Sequence, residues 1–127
     1  MERKIIITAL VFGFLAIVLG AFGAHALKKV LNSDQLNSFE VGVRYLMYHA
    51  LFLLFVGTMQ HITIEQKMVV YYLTVFGILL FSGSIFFLTT MPITKLNLKF
   101  LGPITPIGGL LLLAAWFWLF IIYFKKN

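Results

Sequence analysis

Cysteine is absent from this 127-residue chain, which excludes disulfides and thiolate metal centres. Charge is scarce too: charged residues make up 11% of the sequence, against roughly 25% in a soluble domain. Acids are fewest, with four Asp and Glu set against ten Lys and Arg. Ligand-competent side chains are therefore few and scattered, and no metal site is expected. No serine stands in a nucleophile motif and the histidines lack a clear carboxylate orienter, so no catalytic residue is assigned and no enzyme is expected. The basic residues stand singly or in pairs between apolar runs, with no basic stripe or RNA-binding motif. They suit anchoring at headgroups and contact with anionic lipid, and exclude nucleic acid as a partner.

What fills the chain instead is apolar: 61% of its residues are hydrophobic, and 17% of the chain is aromatic. A soluble fold of this length has too little interior to hide that surface, so lipid is its solvent. Residues 5–26 form a predominantly apolar run that makes ~33 Å of helix, matching a ~30 Å hydrocarbon core. A basic start and the small residues around His25 resemble a signal peptide, but the run is long for one and reads as a retained helix. Along it Ala9, Gly13, Ala16, Gly20 and Gly23 recur at steps of three and four, drawing a groove suited to a close neighbour. Further spans are expected over 41–60, 68–90 and 106–124. The fold class is thus all-α: a polytopic integral membrane protein built as a four-transmembrane-helix bundle, with residues 1–127 as one domain.

The second helix is expected to start at Asp34 or Asn37, where Asn37 and Glu40 have capping-box spacing. At 100° per residue, Leu36, Phe39, Val43, Leu46, Met47 and Ala50 share one arc. Gln35, Ser38, Glu40, Arg44, Tyr45, Tyr48 and His49 share the other. A charged arc in lipid costs a few kcal/mol or more, so this arc is expected to face protein or water and form the polar spine of the bundle. Thr105 before Pro106 reads as an N-cap for the fourth span. Both termini then lie on one side. Arg3, Lys4, Lys67, Lys125 and Lys126 on that side nearly balance Lys28, Lys29, Lys95 and Lys99 on the other, so the positive-inside rule gives no orientation.

Several stretches together carry a family resemblance: Gly20-Ala-Phe-Gly-Ala-His-Ala-Leu27, Phe39-Glu40, Arg44-Tyr-Leu-Met-Tyr-His-Ala50, Phe81-Ser-Gly-Ser84 and Leu101-Gly-Pro-Ile-Thr-Pro-Ile-Gly-Gly109. They resemble domain-of-unknown-function family 423, small four-span bacterial inner-membrane proteins. Arg44 departs from that pattern, which more often has a small or polar residue such as Thr before Tyr45. The resemblance implies a four-span protein of the bacterial plasma (inner) membrane and no established activity.

The expected polar cluster is His25, Glu40, Arg44, Tyr45, Tyr48 and His49, gathered at the first-loop and third-loop end, with plain hydrocarbon packing in the other half. Glu40 and Arg44, four apart with the acid first, suit a helical ion pair. His25 is expected to bridge the first two helices. Gly20, Gly23, Ser82, Gly83, Ser84, Gly108 and Gly109 are expected at helix contacts, with Gly108-Gly109 approaching the groove at Gly20 and Gly23. His25 and His49 differ in depth, so bis-histidine haem ligation is not expected and no cofactor is assigned. Membrane lipids are the expected partners, with a second copy or another membrane protein as further candidates. The function that fits is non-enzymatic binding of a lipid or membrane partner. The alternative is a small dimeric transporter of the multidrug-resistance-like four-span type, with Glu40 as its ion or proton site.

Overall fold

The computed structural model describes residues 1–126. Backbone polar groups in hydrocarbon must be satisfied within their own segment, which drives the apolar runs into helices. Helix α1 spans Glu2–His25, α2 Ser33–Thr58, α3 Ile64–Thr89, α4 Met91–Thr94 and α5 Ile104–Phe124. All but the one-turn α4 are long and apolar enough to cross a bilayer, and the described residues contain no strand. The protein is an all-α, four-span membrane protein.

Three helix starts differ from the sequence reading. Asn32, not Asn37, caps α2: its side chain accepts from Gln35 N at 2.8 Å, and Gln35 Oε1 accepts from Asn32 N at 3.0 Å. Gln closes a capping box as well as Glu does, and it does so a turn before Asn37. Thr63 and Gln66 repeat the device at the start of α3, so that helix begins at Ile64 rather than at Met68. Thr105 does not cap α5, which begins at Ile104 after Pro103. Its hydroxyl is engaged by Ser84 Oγ on α3 instead.

The helices form two hairpins. In the first, α1 packs along α2, and Leu27, Leu31 and Phe39 bury together beneath the connecting turn. In the second, α3 packs along α5. The hairpins meet along α2 and α3, where Ser82 Oγ donates to Gly42 O at 2.8 Å. Lipid tails are as apolar as leucine, so helices associate here by close fit, which needs small residues at the seams. On α1, Gly20 faces Val43 and Gly13 faces Ala50; at the far end Gly57 of α2 faces Ile6.

Gly108 does not approach Gly20 and Gly23, because α5 lies on α3, across the second hairpin from α1. A Cβ on Gly108 would sit 2.8 Å from Gly77 O and 2.7 Å from Leu80 C, so the α3 and α5 backbones touch at this crossing. Gly109 faces the Phe81 ring at 3.6 Å. Gly83 is no packing contact: a Cβ there would meet open space, since it points away from both neighbours.

The half of the bundle near the termini is not plain hydrocarbon either. Lys67 is 1% exposed, and its Nζ donates to Glu2 Oε2 at 2.9 Å and to Gly57 O at 3.4 Å. It thereby ties the start of α1, the end of α2 and the start of α3 together. Thr8 and Tyr71 share a 2.8 Å hydrogen bond nearby, and Lys126 Nζ donates to His61 O. A lysine beside a helix C-terminus finds acceptor carbonyls there, which a count of loop charges does not reveal.

Candidate functional site

The six residues of the expected polar cluster separate into three places. His25 is exposed at the end of α1 and bridges nothing; Gly23, two residues before it, turns the opposite side of the helix to the Phe39 ring. Glu40 and Arg44 pair at 3.3 Å on the outward face of α2, with side chains 44% and 55% exposed. The polar arc is therefore not an inner spine, because α1 and α3 pack on the flanks of α2 that carry Gly42, Val43, Leu46 and Ala50. Glu40 lines a notch of about 220 Å³ at the surface of the bundle with Gly20, Gly23, Phe39, Val43 and Arg44. Tyr45, Tyr48 and His49 do come together, on the side of α2 that faces α5.

His49 organises that side. It is buried near mid-bundle, one residue from Ala50, which packs on Gly13 halfway along α1. Its Nδ1–H donates to Tyr45 O at 2.7 Å, and its Nε2 accepts from the indole Nε1–H of Trp116 at 3.1 Å. An indole N–H only donates and a carbonyl only accepts, so the ring is the neutral imidazole with its proton on Nδ1. Both nitrogens are used, which satisfies a polar group at a depth where leaving it bare is costly. The bond also joins α2 to α5, which otherwise reach each other through aromatic side chains. The Phe52 ring stacks on Trp116 with centroids 4.2 Å apart, and His49 meets the same indole edge-on at 6.1 Å.

In front of this pair lies a cleft of about 680 Å³, open sideways to the bilayer. Tyr45 and Tyr48 stand at its loop-side end, Leu51, Phe52 and Phe55 form one wall, and Trp116 and Leu119 form the other. Past Met59 it continues into a shallower groove of about 450 Å³ along Phe120 and Tyr123 towards the chain termini. Cleft and groove share Met59, Trp116 and Leu119 and so make one apolar track. Tyr45 is held by contact with Phe81 of α3, ring centroids 5.0 Å apart, and with Tyr48 at 5.5 Å. A larger groove of about 750 Å³ runs along α3 past Tyr72 and Phe76, but Glu65 is its one charged side chain and it holds no buried polar group. Among the described residues, no group of three or more His, Asp or Glu side chains is placed to hold a metal ion.

Trp116 is the residue the sequence reading missed. The signal was present: an indole N–H in mid-span demands an acceptor, and His49 is a side chain in the spans able to accept without a backbone carbonyl.

Known proteins similar to this chain are named as membrane proteins. A family model described as "Protein of unknown function (DUF423)" matches residues 19–109. A UPF0382 membrane protein of Staphylococcus saprophyticus is 38% identical over 97% of this chain and 98% of its own length. A UPF0382 membrane protein of Bacillus subtilis is 36% identical over 90% of each chain. A UPF0382 inner membrane protein of Escherichia coli is 31% identical over 91% of this chain and 85% of its own. No solved structure matches.

Proposed function

The chain belongs to this DUF423 family of membrane proteins of unknown function, and from that premise we propose that it is a non-enzymatic protein of the bacterial plasma membrane that holds a lipid chain in the cleft between α2 and α5. The observation that carries the reading is the cleft's construction around His49 and Trp116. Ligand sites are concave, mostly apolar and largely preformed, with a few placed polar groups. Here the Phe52 and Trp116 rings in the two walls are already fixed by stacking and by the indole–imidazole bond, so little ordering is left for a ligand to impose. The track follows α2 from Tyr45 to Met59, about 21 Å of helix, a length that suits an acyl chain better than a compact solute. Tyr45 and Tyr48 stand at the end nearer the loop-side headgroups, where a phenol hydroxyl meets the ester or headgroup of a lipid. With both imidazole nitrogens committed, His49 offers no site for proton transfer, which favours holding over chemistry.

Native mass spectrometry of the detergent-extracted chain tests the reading. The wild-type protein is expected to carry one lipid, and Leu119→Trp, which fills the cleft, to lose it while staying folded. A wild-type protein that is bare under gentle conditions, or a Leu119→Trp protein that keeps its lipid, would contradict it.

A further inference from the structure

The outward face of α2 carries Asn37, Glu40, Arg44, Tyr48, Leu51 and Phe55, which recur at steps of three and four, and none of them is buried. Neither hairpin covers this face. Because Gly20 faces Val43, Arg44 lies level with residues five or six positions inside the His25 end of α1, about 8 Å along the helix. Its backbone is therefore within the depth spanned by the apolar run 5–26, and Glu40 lies about 6 Å nearer the surface. Charged side chains within membrane spans almost always face protein or a water-filled cavity. Here they face out of the four-helix unit, so that unit leaves its own charges uncovered.

We propose that a second copy of this chain covers them, packing α2 against α2 about a two-fold axis along the membrane normal, with Glu40 of each copy meeting Arg44 of the other. The face is self-complementary: it carries one acid and one base, a helical turn apart. That axis puts equal residues at equal depth, so each Glu40 is offset from the opposite Arg44 by one turn, within reach of long side chains across helices 8–10 Å apart. An antiparallel pairing would set the charges of one copy against Leu51 and Phe55 of the other, so the charge pattern selects the parallel arrangement. Beside the pair, where α1 and α2 meet, a surface notch of about 220 Å³ lined by Gly20, Gly23, Phe39 and Val43 leaves room for a side chain of the second copy. The existing 3.3 Å pair within one helix is the resting partnership that the crossed pairs extend into a four-charge network. Tyr48, Leu51 and Phe55 of this face also form the outer lip of the cleft between α2 and α5, so in the dimer the cleft opens beside the interface, while the crossed charge pairs lie a turn or more away at Glu40 and Arg44.

Reciprocal charge exchange tests it with the full chain in liposomes of phosphatidylcholine and phosphatidylglycerol, read by energy transfer between labelled copies. Wild-type chains are expected to associate, and E40R alone or R44E alone to lose self-association by about tenfold or more. E40R mixed with R44E is expected to associate again, because each then faces the opposite charge. A monomeric wild-type protein, single variants that associate as wild type does, or a mixture no better than its components would overturn the proposal. Since the chain has no native cysteine, crosslinking decides the matter even where a charge variant fails to fold. Asn37→Cys and Leu51→Cys are expected to crosslink between copies and Leu113→Cys, on the outer face of α5, is not; the reverse pattern, or none, rejects the interface.

Discussion

At the scale of single residues, the polar groups inside the bundle divide by whether they found partners. Trp116→Phe removes the donor to His49 Nε2 and leaves a mid-membrane acceptor bare, for an expected loss of about 1–3 kcal/mol. His49→Phe combined with Trp116→Phe removes both ends, so the pair is expected to cost less than the sum of the single changes, with a coupling of about 0.6–1.7 kcal/mol. Steric-trap or denaturant unfolding in detergent, run on all four proteins, measures that coupling; strict additivity would mean that the bond does not join α2 to α5. Thr74 is the opposite case. Its hydroxyl is buried in α3 with no hydrogen-bond partner among the described residues. Thr74→Val keeps the shape and removes the bare group, so it is expected to leave stability unchanged or raise it by up to about 1 kcal/mol. A clear fall in melting temperature would show that the hydroxyl is in use.

At the scale of helices, the seams rest on where small residues meet, and neighbouring glycines behave differently. Gly108→Ala drives a methyl into the Gly77 carbonyl and the α3 backbone, neither of which can turn aside, for an expected loss of about 2 kcal/mol or more. Gly83→Ala meets open space and restrains the unfolded chain, so it is expected to stabilise by about 0.5–1 kcal/mol. Thermal unfolding of the two variants side by side checks the contrast, and equal effects would place the seam elsewhere. The sequence carried the spans well, because a 20-residue apolar run in lipid has one solution. It carried the helix faces poorly. Periodicity separated Glu40, Arg44, Tyr45, Tyr48 and His49 from the apolar arc, but the arc's direction depends on which flanks α1 and α3 choose. Those flanks were set by Gly42, Val43 and Ala50, so the charges turned outward and only the far edge of the arc, Tyr45 to His49, met α5. Gly42, Gly57 and Gly77 were legible as glycines but not as seams, since each owes its role to one residue on another helix. His25 drew attention because a histidine near a membrane boundary is rare, yet its helix ends before it can reach across.

At the scale of the molecule, two hairpins joined along α2 and α3 leave α1 and α5 as flanks with different duties. The α1 side closes tightly over small residues. The α5 side is held to α2 by rings and one hydrogen bond, and leaves a track open to the bilayer. Lys67, Glu2 and Gly57 clamp the terminal end of three helices, so the molecule is fastened at one end and open along one side. Lys67→Met is expected to cost no more than about 1 kcal/mol, because the half-exposed Glu2 can return to water, whereas Lys67→Glu sets an acid against Glu2 and the Gly57 carbonyl and is expected to cost several times that. Chemical unfolding of both variants measures the difference, and equal losses would mean that the stem of Lys67, not its charge, holds that end.

The most direct test of a lipid-holding cleft is photolabelling with a phospholipid that carries a diazirine at mid-chain, added at equimolar ratio to the detergent-purified protein. Occupancy of the cleft gives label concentrated on peptides containing Tyr48 to Phe55 and Trp116 to Leu119, and its loss in Leu119→Trp. Label spread evenly over the outer faces, or concentrated along Tyr72 and Phe76 on α3, would contradict it.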